Sequence, residues 1–239
     1  MALAAVATLA TAADDPPAAP PARVVELFTS HGCSSCPPAE RLFGRLVEAA
    51  PELVALEYHV DYWDALVHGA DGSFADPFSS PAHTARQRAY AEADLEGRPG
   101  VYTPQLVLDG RRAMVGSDER RLVAALAEAP IPSGASVRIE PSADGAGRLE
   151  ARVDGAGPSD EVVLVRYLDE ASTEITGGEN RHRTAVNRRV VHAVEPLGAP
   201  PEASGRAFEF AAPPAGEGCA VLLQDRALAA LRAAALCPG

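Results

Sequence analysis

With 239 residues and 47% hydrophobic composition, the chain has the length of one to two domains and enough apolar material for a buried core. Its 33 acidic residues outweigh 21 basic ones, and the resulting net charge of -12 argues against nucleic acid or an anionic membrane surface as a partner. Every basic residue is Arg, and a chain without Lys cannot form a Schiff base or place a Walker-type Lys on a nucleotide.

Residues 1–13, MALAAVATLATAA, are short and apolar, and Ala10-Thr11-Ala12 fits the small-x-small pattern that precedes signal cleavage. The positive n-region of a signal is missing, so an Ala-rich tail is the other reading of this stretch. Residues 14–22 are Pro-rich and suit an extended tether. The expectation is a bacterial periplasmic or secreted protein. No later run reaches the ~18 apolar residues of a membrane helix, so no membrane insertion is expected after signal removal.

From residue 23 to about 130 the hydrophobic period alternates between two and 3.6, the mark of alternating strands and helices. Val24 to Thr29 reads as a buried strand. Ala39, Leu42, Phe43, Leu46, Val47 and Ala50 then line one face of a helix. Leu53 to Asp61 reads as a second strand, followed by a long loop over 62–80. Pro81 is placed to open a helix with Ala82, Ala85, Ala89, Tyr90 and Ala93 on one stripe. Gln105 to Leu108 and Arg112 to Val115 form a hairpin about Asp109-Gly110, and a helix follows from Asp118 with Ser117 as its cap. The order is β-α-β-α-β-β-α. Pro130-Ile131-Pro132 then brackets an expected domain boundary. Beyond it, about six short alternating strands (135–140, 147–154, 161–168, 189–195, 206–211 and 219–224) suggest a smaller antiparallel β-sandwich-like domain over 133–239.

Cys33 and Cys36 form a C-S-S-C between the first strand and the first helix. A thiol at a helix N-terminus meets a positive dipole end, which lowers its pKa from ~8.5 into the range of ~3.5 to ~7.5 and makes it a nucleophile at neutral pH. Cys33 is expected to be the more exposed attacker and Cys36 the buried resolving thiol. Pro37 and Pro38 suit the first helical turn, where N–H donors are not needed.

The strand-CxxC-helix start, the element order and Thr103-Pro104 before the third strand together resemble the thioredoxin superfamily. That resemblance implies thiol-disulfide exchange with protein thiols or disulfides, an unidentified redox partner, no bound cofactor, and a cis proline at Pro104 facing the dithiol. More closely, VELFTSHGCSSCPPAERL, YHVDYWD, DPFSSPAHTARQRAY, VYTPQLVLDG and GENRHRT resemble the secreted bacterial family known as domain of unknown function 1223, over about residues 24–193. The sequence departs from thioredoxins at Gly32, where Trp is usual, and at Ser34-Ser35, where Gly-Pro is usual. Glu26 lies one residue out of register with the buried acid that moves protons to the resolving thiol in thioredoxins; an ordinary strand-end carboxylate is the alternative. His31 is either a thiolate-stabilising imidazolium or a solvated loop residue.

Cys219 and Cys237 lie opposite each other if 219–225 and 231–237 pair as a hairpin, at a separation a disulfide spans. An Ala-rich helix over RALAALRAAAL also permits a bridge. Such a staple fits an oxidising compartment. The rival chemistry at the first pair is copper or zinc handling by Cys33 and Cys36 with His31, His59, His68 or His83, although no second CxxC or H-x-E motif accompanies them. A third reading makes the β-rich half a binding module on a thioredoxin-like scaffold. Asp61 and Asp64 read as loop solvation. Tyr58, Tyr62, Trp63, Phe74 and Phe78 line either a substrate groove or the core. The basic run 177–189 reads as a solvated loop in preference to a docking or interdomain contact.

Overall fold

A computed structural model of the protein describes residues 23–67, 74–145, 147–198, 206–228 and 230–239. The signal-like segment, the tether and His68 lie outside these residues. The first half runs β1 (Val24–Thr29), α1 (Pro37–Ala49), β2 (Val54–Val60), a short α2 (Asp64–Val67), β3 (Ser79–Ser80), α3 (Pro81–Glu92), β4 (Glu96–Gly97), β5 (Gln105–Leu108), β6 (Arg112–Val115) and α4 (Glu119–Ala127). The second half is all strand: β7 (Ser136–Pro141), β8 (Arg148–Asp154), β9 (Asp160–Glu174), β10 (Thr184–Gly198), β11 (Arg206–Ala211), β12 (Glu217–Asp225) and β13 (Leu231–Leu236).

Local chemistry accounts for most element ends. Pro37 and Pro38 open α1, whose buried Ala39, Leu42 and Phe43 follow helical spacing. Ser80 caps α3, its Oγ accepting from the Ala82 N–H at 3.2 Å. Asp118, and not Ser117, caps α4 by accepting from the Arg121 N–H at 3.1 Å. Asp109 and Gly110 both take positive φ, 54° and 63°, as a tight turn between β5 and β6 requires. Of the stripe expected on α3, Tyr90 is buried and Ala89 partly so, but Ala82 and Ala85 face solvent. That helix buries His83, Thr84, Arg86, Gln87 and Tyr90, because the sheet beneath it presents Glu26 and Gln105, which need polar partners.

The fold is mixed α/β, dominated by one large mixed sheet. Its strand order is β13-β12-β9-β10-β2-β1-β5-β6-β4, with β3 also pairing β2. β1 and β2 are parallel, with Val24 opposite Val54, while β5 and β6 run antiparallel beside them. β1 and β2 are buried on both faces, which explains their near-continuous apolar sequence. The expected boundary at 130–132 falls in the irregular connection between α4 and β7. Strands from both sides of it nevertheless join one sheet, where β10 lies parallel to β2 with Val190 beside Glu57.

Alternation along the strands sorts the core into layers. On one face, α1 and α4 cover Val25, Leu27, Ala55, Leu106 and Leu108. Farther along that face, the three-stranded sheet β11-β8-β7 packs Leu149, Ala151, Phe208 and Phe210 onto Leu164, Val221 and Leu223, a sandwich-like arrangement. On the opposite face, Tyr90 of α3 joins Phe28, Leu56, Tyr58, Val165 and Leu222. Cys219 and Cys237 are joined by a disulfide where β12 and β13 pair as a hairpin, so the helical alternative for RALAALRAAAL does not form.

Candidate redox site

The chain leaves β1, turns through Ser30 and enters α1 at Cys36, whose carbonyl accepts from the Ala39 and Glu40 N–H groups at 2.8 and 3.1 Å. Cys33 and Cys36 are joined by a disulfide with their Cα atoms 5.4 Å apart. Ser35 Oγ lies 3.3 Å from Cys33 Sγ. The expectation of an exposed Cys33 is corrected here: both cysteines are 0% exposed, while Ser34 and Ser35 between them face solvent. The connection between β9 and β10 reaches the turn that carries the two cysteines. Asn180 Nδ2 donates to the carbonyls of His31 and Cys33, both at 2.9 Å. On the same connection Gly177 packs against Phe74, where a Cβ would stand 2.5 Å from Phe74 Cβ. Nothing local to the CxxC segment announces the Asn180 contact, because Asn180 lies 147 positions from Cys33.

The Thr103–Pro104 peptide is cis. Pro104 lies beside the first turn of α1, with Gly116 between them; a Cβ on Gly116 would come within 3.1 Å of Ala39 Cβ and 3.2 Å of Pro104 Cβ. Thr103 Oγ1 accepts from Trp63 Nε1 at 2.7 Å. Glu26 is fully buried but neither a strand-end carboxylate nor directed to α1. Along β1 its neighbours Val25 and Leu27 face α1, so Glu26 faces α3, where Arg86 Nε donates to it at 2.7 Å and the Tyr90 hydroxyl donates to its other oxygen. Arg86 Nη1 carries this network on to Gln224 Oε1 of β12 at 2.9 Å.

On the α1 side of the sheet lies a second buried polar cluster. His31 N donates to Asp76 Oδ2 at 2.7 Å, and the same oxygen is 2.7 Å from His59 Nδ1. His31 Nδ1 stands 3.4 Å from Asp76 Oδ1, and His59 Nε2 stands 3.3 Å from Glu57 Oε1. Asn187 of β10 ties the two sides together: its Oδ1 lies 3.1 Å from His31 Nε2, and its Nδ2 donates to Glu57 Oε1 at 2.6 Å. His31 is therefore a buried network member and not a solvated loop residue. Phe78 packs edge-on against both imidazoles. Thr29 Oγ1 donates to Glu40 Oε1 at 2.7 Å on the first turn of α1.

This crowding separates the titrations. Burial, reinforced by the neighbouring His59, pushes the His31 imidazole below its usual value. Burial works against a charged His59 as well, but the Asp76 carboxylate and Glu57 override it and raise that ring to about 10. Asp76 is held well below the ordinary carboxylate range: burial opposes its charge, and the two imidazoles outweigh that. Burial, with the Glu57 charge, lifts Glu40 to about 7. Burial takes His83, which donates to the His59 carbonyl across 3.0 Å, down to about 4.

The remaining expected residues are structural. Tyr58 stacks on Phe28 in the core, and Tyr62 and Trp63 pack against the same cluster. Asp61 accepts from Thr84 Oγ1, and Asp64 from the Asp76 N–H and Ser79 Oγ. The basic run is more than a solvated loop, because Arg189 donates to the Leu53 and Pro51 carbonyls at 2.5 and 2.6 Å and Arg188 pairs with Glu48. A cleft of about 290 Å³ opens between α1 and the β9–β10 hairpin, lined by His31, Pro37, Glu40 and Asn180 on its inner side and by Arg41 and Arg183. Sequence reasoning missed Asp76, Asn180, Asn187, Glu57 and Glu40. One signal was available: Glu57 and His59 are polar residues at alternate positions of an otherwise apolar strand, so they share a buried face.

A family model described as "Protein of unknown function (DUF1223)" matches residues 24–224. The chain belongs to this family. Among solved structures it is similar to an X-ray structure of a structural-genomics target protein from Agrobacterium tumefaciens, at 30% identity and a TM-score of 0.69, covering 93% of this chain and 96% of that one. It is also similar to HBP35 of Porphyromonas gingivalis, at 12% identity and a TM-score of 0.55, covering 91% of this chain and 74% of that one, a likeness of fold alone. Among curated proteins there is no match. In this family member no helix among the described residues is long and apolar enough to cross a membrane.

Proposed function

We propose that the protein is an exported thiol-disulfide oxidoreductase that exchanges electrons with protein thiols or disulfides through Cys33 and Cys36. The observation that carries this reading is the Cys33–Cys36 disulfide at the junction of a central buried strand with the first turn of a helix. A thioredoxin-like reading of the first half is supported by the strand run β2-β1-β5-β6, with its parallel β1–β2 pair and antiparallel β5 and β6. Two disulfides among the described residues favour an oxidising compartment.

In the reduced pair, the Cys33 thiolate attacks a substrate disulfide, forming a mixed disulfide and releasing one substrate thiolate. Cys36 then attacks the Cys33 sulfur, closing the Cys33–Cys36 bond and releasing the second substrate thiolate, so two electrons pass to the substrate. The reverse sequence oxidises a substrate dithiol. Ser35 Oγ, 3.3 Å from Cys33 Sγ, is placed to donate to a thiolate there. Because both cysteines are buried, exchange requires the site to open, and release of Asn180 from the Cys33 carbonyl loosens the turn that carries them. In an assay with a disulfide-linked fluorescent peptide, Cys33→Ser abolishes exchange and Cys36→Ser accumulates a mixed disulfide detectable by intact mass. Full activity in Cys33→Ser overturns the mechanism.

A further inference from the structure

The buried cluster beneath α1 contains an arrangement that hydrogen bonding alone does not satisfy. His31, His59 and Asp76 each offer a ligand atom, and these atoms lie within 4.8 Å of one another. All three side chains are fully buried. His31 Nδ1 and His59 Nε2 have no hydrogen-bond partner among the described residues, and neither has Glu57 Oε2 beside them.

The tautomers follow from the partners. Asn187 Nδ2 donates to Glu57, which leaves Asn187 Oδ1 to accept from His31 Nε2–H. A neutral His31 ring then has its bare Nδ1 facing Asp76 Oδ1 at 3.4 Å, two acceptors with no hydrogen between them. His59 Nε2 faces Glu57 Oε1 at 3.3 Å, so Nδ1, 2.7 Å from Asp76 Oδ2, is the nitrogen it turns toward the shared carboxylate. A cation with bonds of ~2.0–2.2 Å to nitrogen and oxygen holds tetrahedral ligand atoms about 3.3–3.5 Å apart, and His31 Nδ1 and Asp76 Oδ1 stand 3.4 Å apart. The outer contacts also have the form a metal site takes, with each ligating imidazole donating its second nitrogen to an oxygen. Here those oxygens are Asn187 Oδ1 for His31 and Glu57 Oε1 for His59. Phe78 supplies an apolar wall against both rings.

We propose that His31, His59 and Asp76 form a buried site for a divalent transition-metal ion of the zinc type, with Asn187 and Glu57 orienting the two imidazoles from behind. Two imidazole nitrogens and carboxylate oxygens suit zinc without any sulfur ligand. The site is distinct from a cysteine-bound metal and does not depend on the redox reading, since it persists while Cys33 and Cys36 are locked as a disulfide. Its role is structural: the ion would join the β1–α1 turn, β2 and the loop before β3, and through Asn187 reach β10.

The test uses the full chain in its disulfide form, stripped by a chelator and titrated with Zn²⁺ against a chromophoric competitor. One ion per chain is expected. Asn187→Ala weakens binding by roughly 10- to 100-fold and His31→Gln by about 100-fold or more. A Cys33→Ser/Cys36→Ser variant binds as tightly as the parent. If the histidine variant does not fold, Co²⁺ substitution in the unaltered chain gives a second readout, a visible absorption band of a nitrogen- and oxygen-ligated ion without thiolate charge transfer. Absence of stoichiometric Zn²⁺ binding by the oxidised chain, or binding that appears only after reduction and disappears in the cysteine variant, overturns the site. Neither result bears on exchange activity, which the Cys33→Ser assay reads separately.

Discussion

Glu40 is the residue on which pH acts most directly. It sits in the first turn of α1, four residues after Cys36, where burial and the Glu57 charge raise its carboxyl from the usual 4.5 to about 7. Between these two values the folded chain holds a proton that the unfolded chain has released. Stability from this group therefore falls as pH rises through that window, and the full penalty, on the order of 3 kcal/mol, is reached above the folded value. Gln at this position keeps an oxygen for Thr29 Oγ1 and removes the buried charge. In chelator-treated protein, Glu40→Gln should resist urea better than the parent near pH ~8 and match it near pH ~4. A difference that does not change with pH would mean that Glu40 is charged throughout or that the substitution acts by packing. At this scale the pairing of Cys33 with Cys36 between β1 and α1 was legible from the sequence, because spacing and position at the helix start decide it. Their burial was not, since exposure depends on what folds over them. Glu26 shows the same limit: its strand position was readable, but its partner Arg86 lies 60 positions away on α3.

At the scale of elements, the β9–β10 hairpin is tied to the turn that carries the dithiol. Asn180 makes two hydrogen bonds to the β1–α1 turn. At ~1 kcal/mol each, their loss in Asn180→Ala should ease opening enough to speed reduction of the Cys33–Cys36 disulfide by dithiothreitol roughly ten- to thirty-fold. An unchanged rate would show that the sulfurs are reached by another route. The strands of this hairpin were readable from alternation, although β9 and β10 run to 15 residues each and the alternating patterns marked only the first half of β9 and the middle of β10. Period-two patterning reports that one face of a strand is buried but not which element buries it. For the same reason the period of α3 is legible but its inner face only in part, at Tyr90. Its Ala residues look like the apolar stripe until the polar groups of Glu26 and Gln105 are known to lie below.

At the scale of the whole molecule, the second half completes the site that the first half begins. β10 pairs with β2, Asn187 and Asn180 reach the His31 region, and Gln224 of β12 meets Arg86. The change in sequence character at Pro130 was real, yet strand partners this distant leave no local trace in composition or period. The Cys219–Cys237 bridge was the long-range feature best anticipated, because a hairpin register fixes which residues stand opposite.

All of this leaves the central claim resting on one bond. The reduction potential of the Cys33–Cys36 pair tests it most directly, measured by alkylation and intact mass across a glutathione series with Cys219→Ala/Cys237→Ala as the control. Thiol-disulfide exchange predicts a reversible two-electron transition between about -120 and about -270 mV, the span of dithiol enzymes. A pair that stays oxidised to below about -300 mV would behave as a structural disulfide and contradict the account.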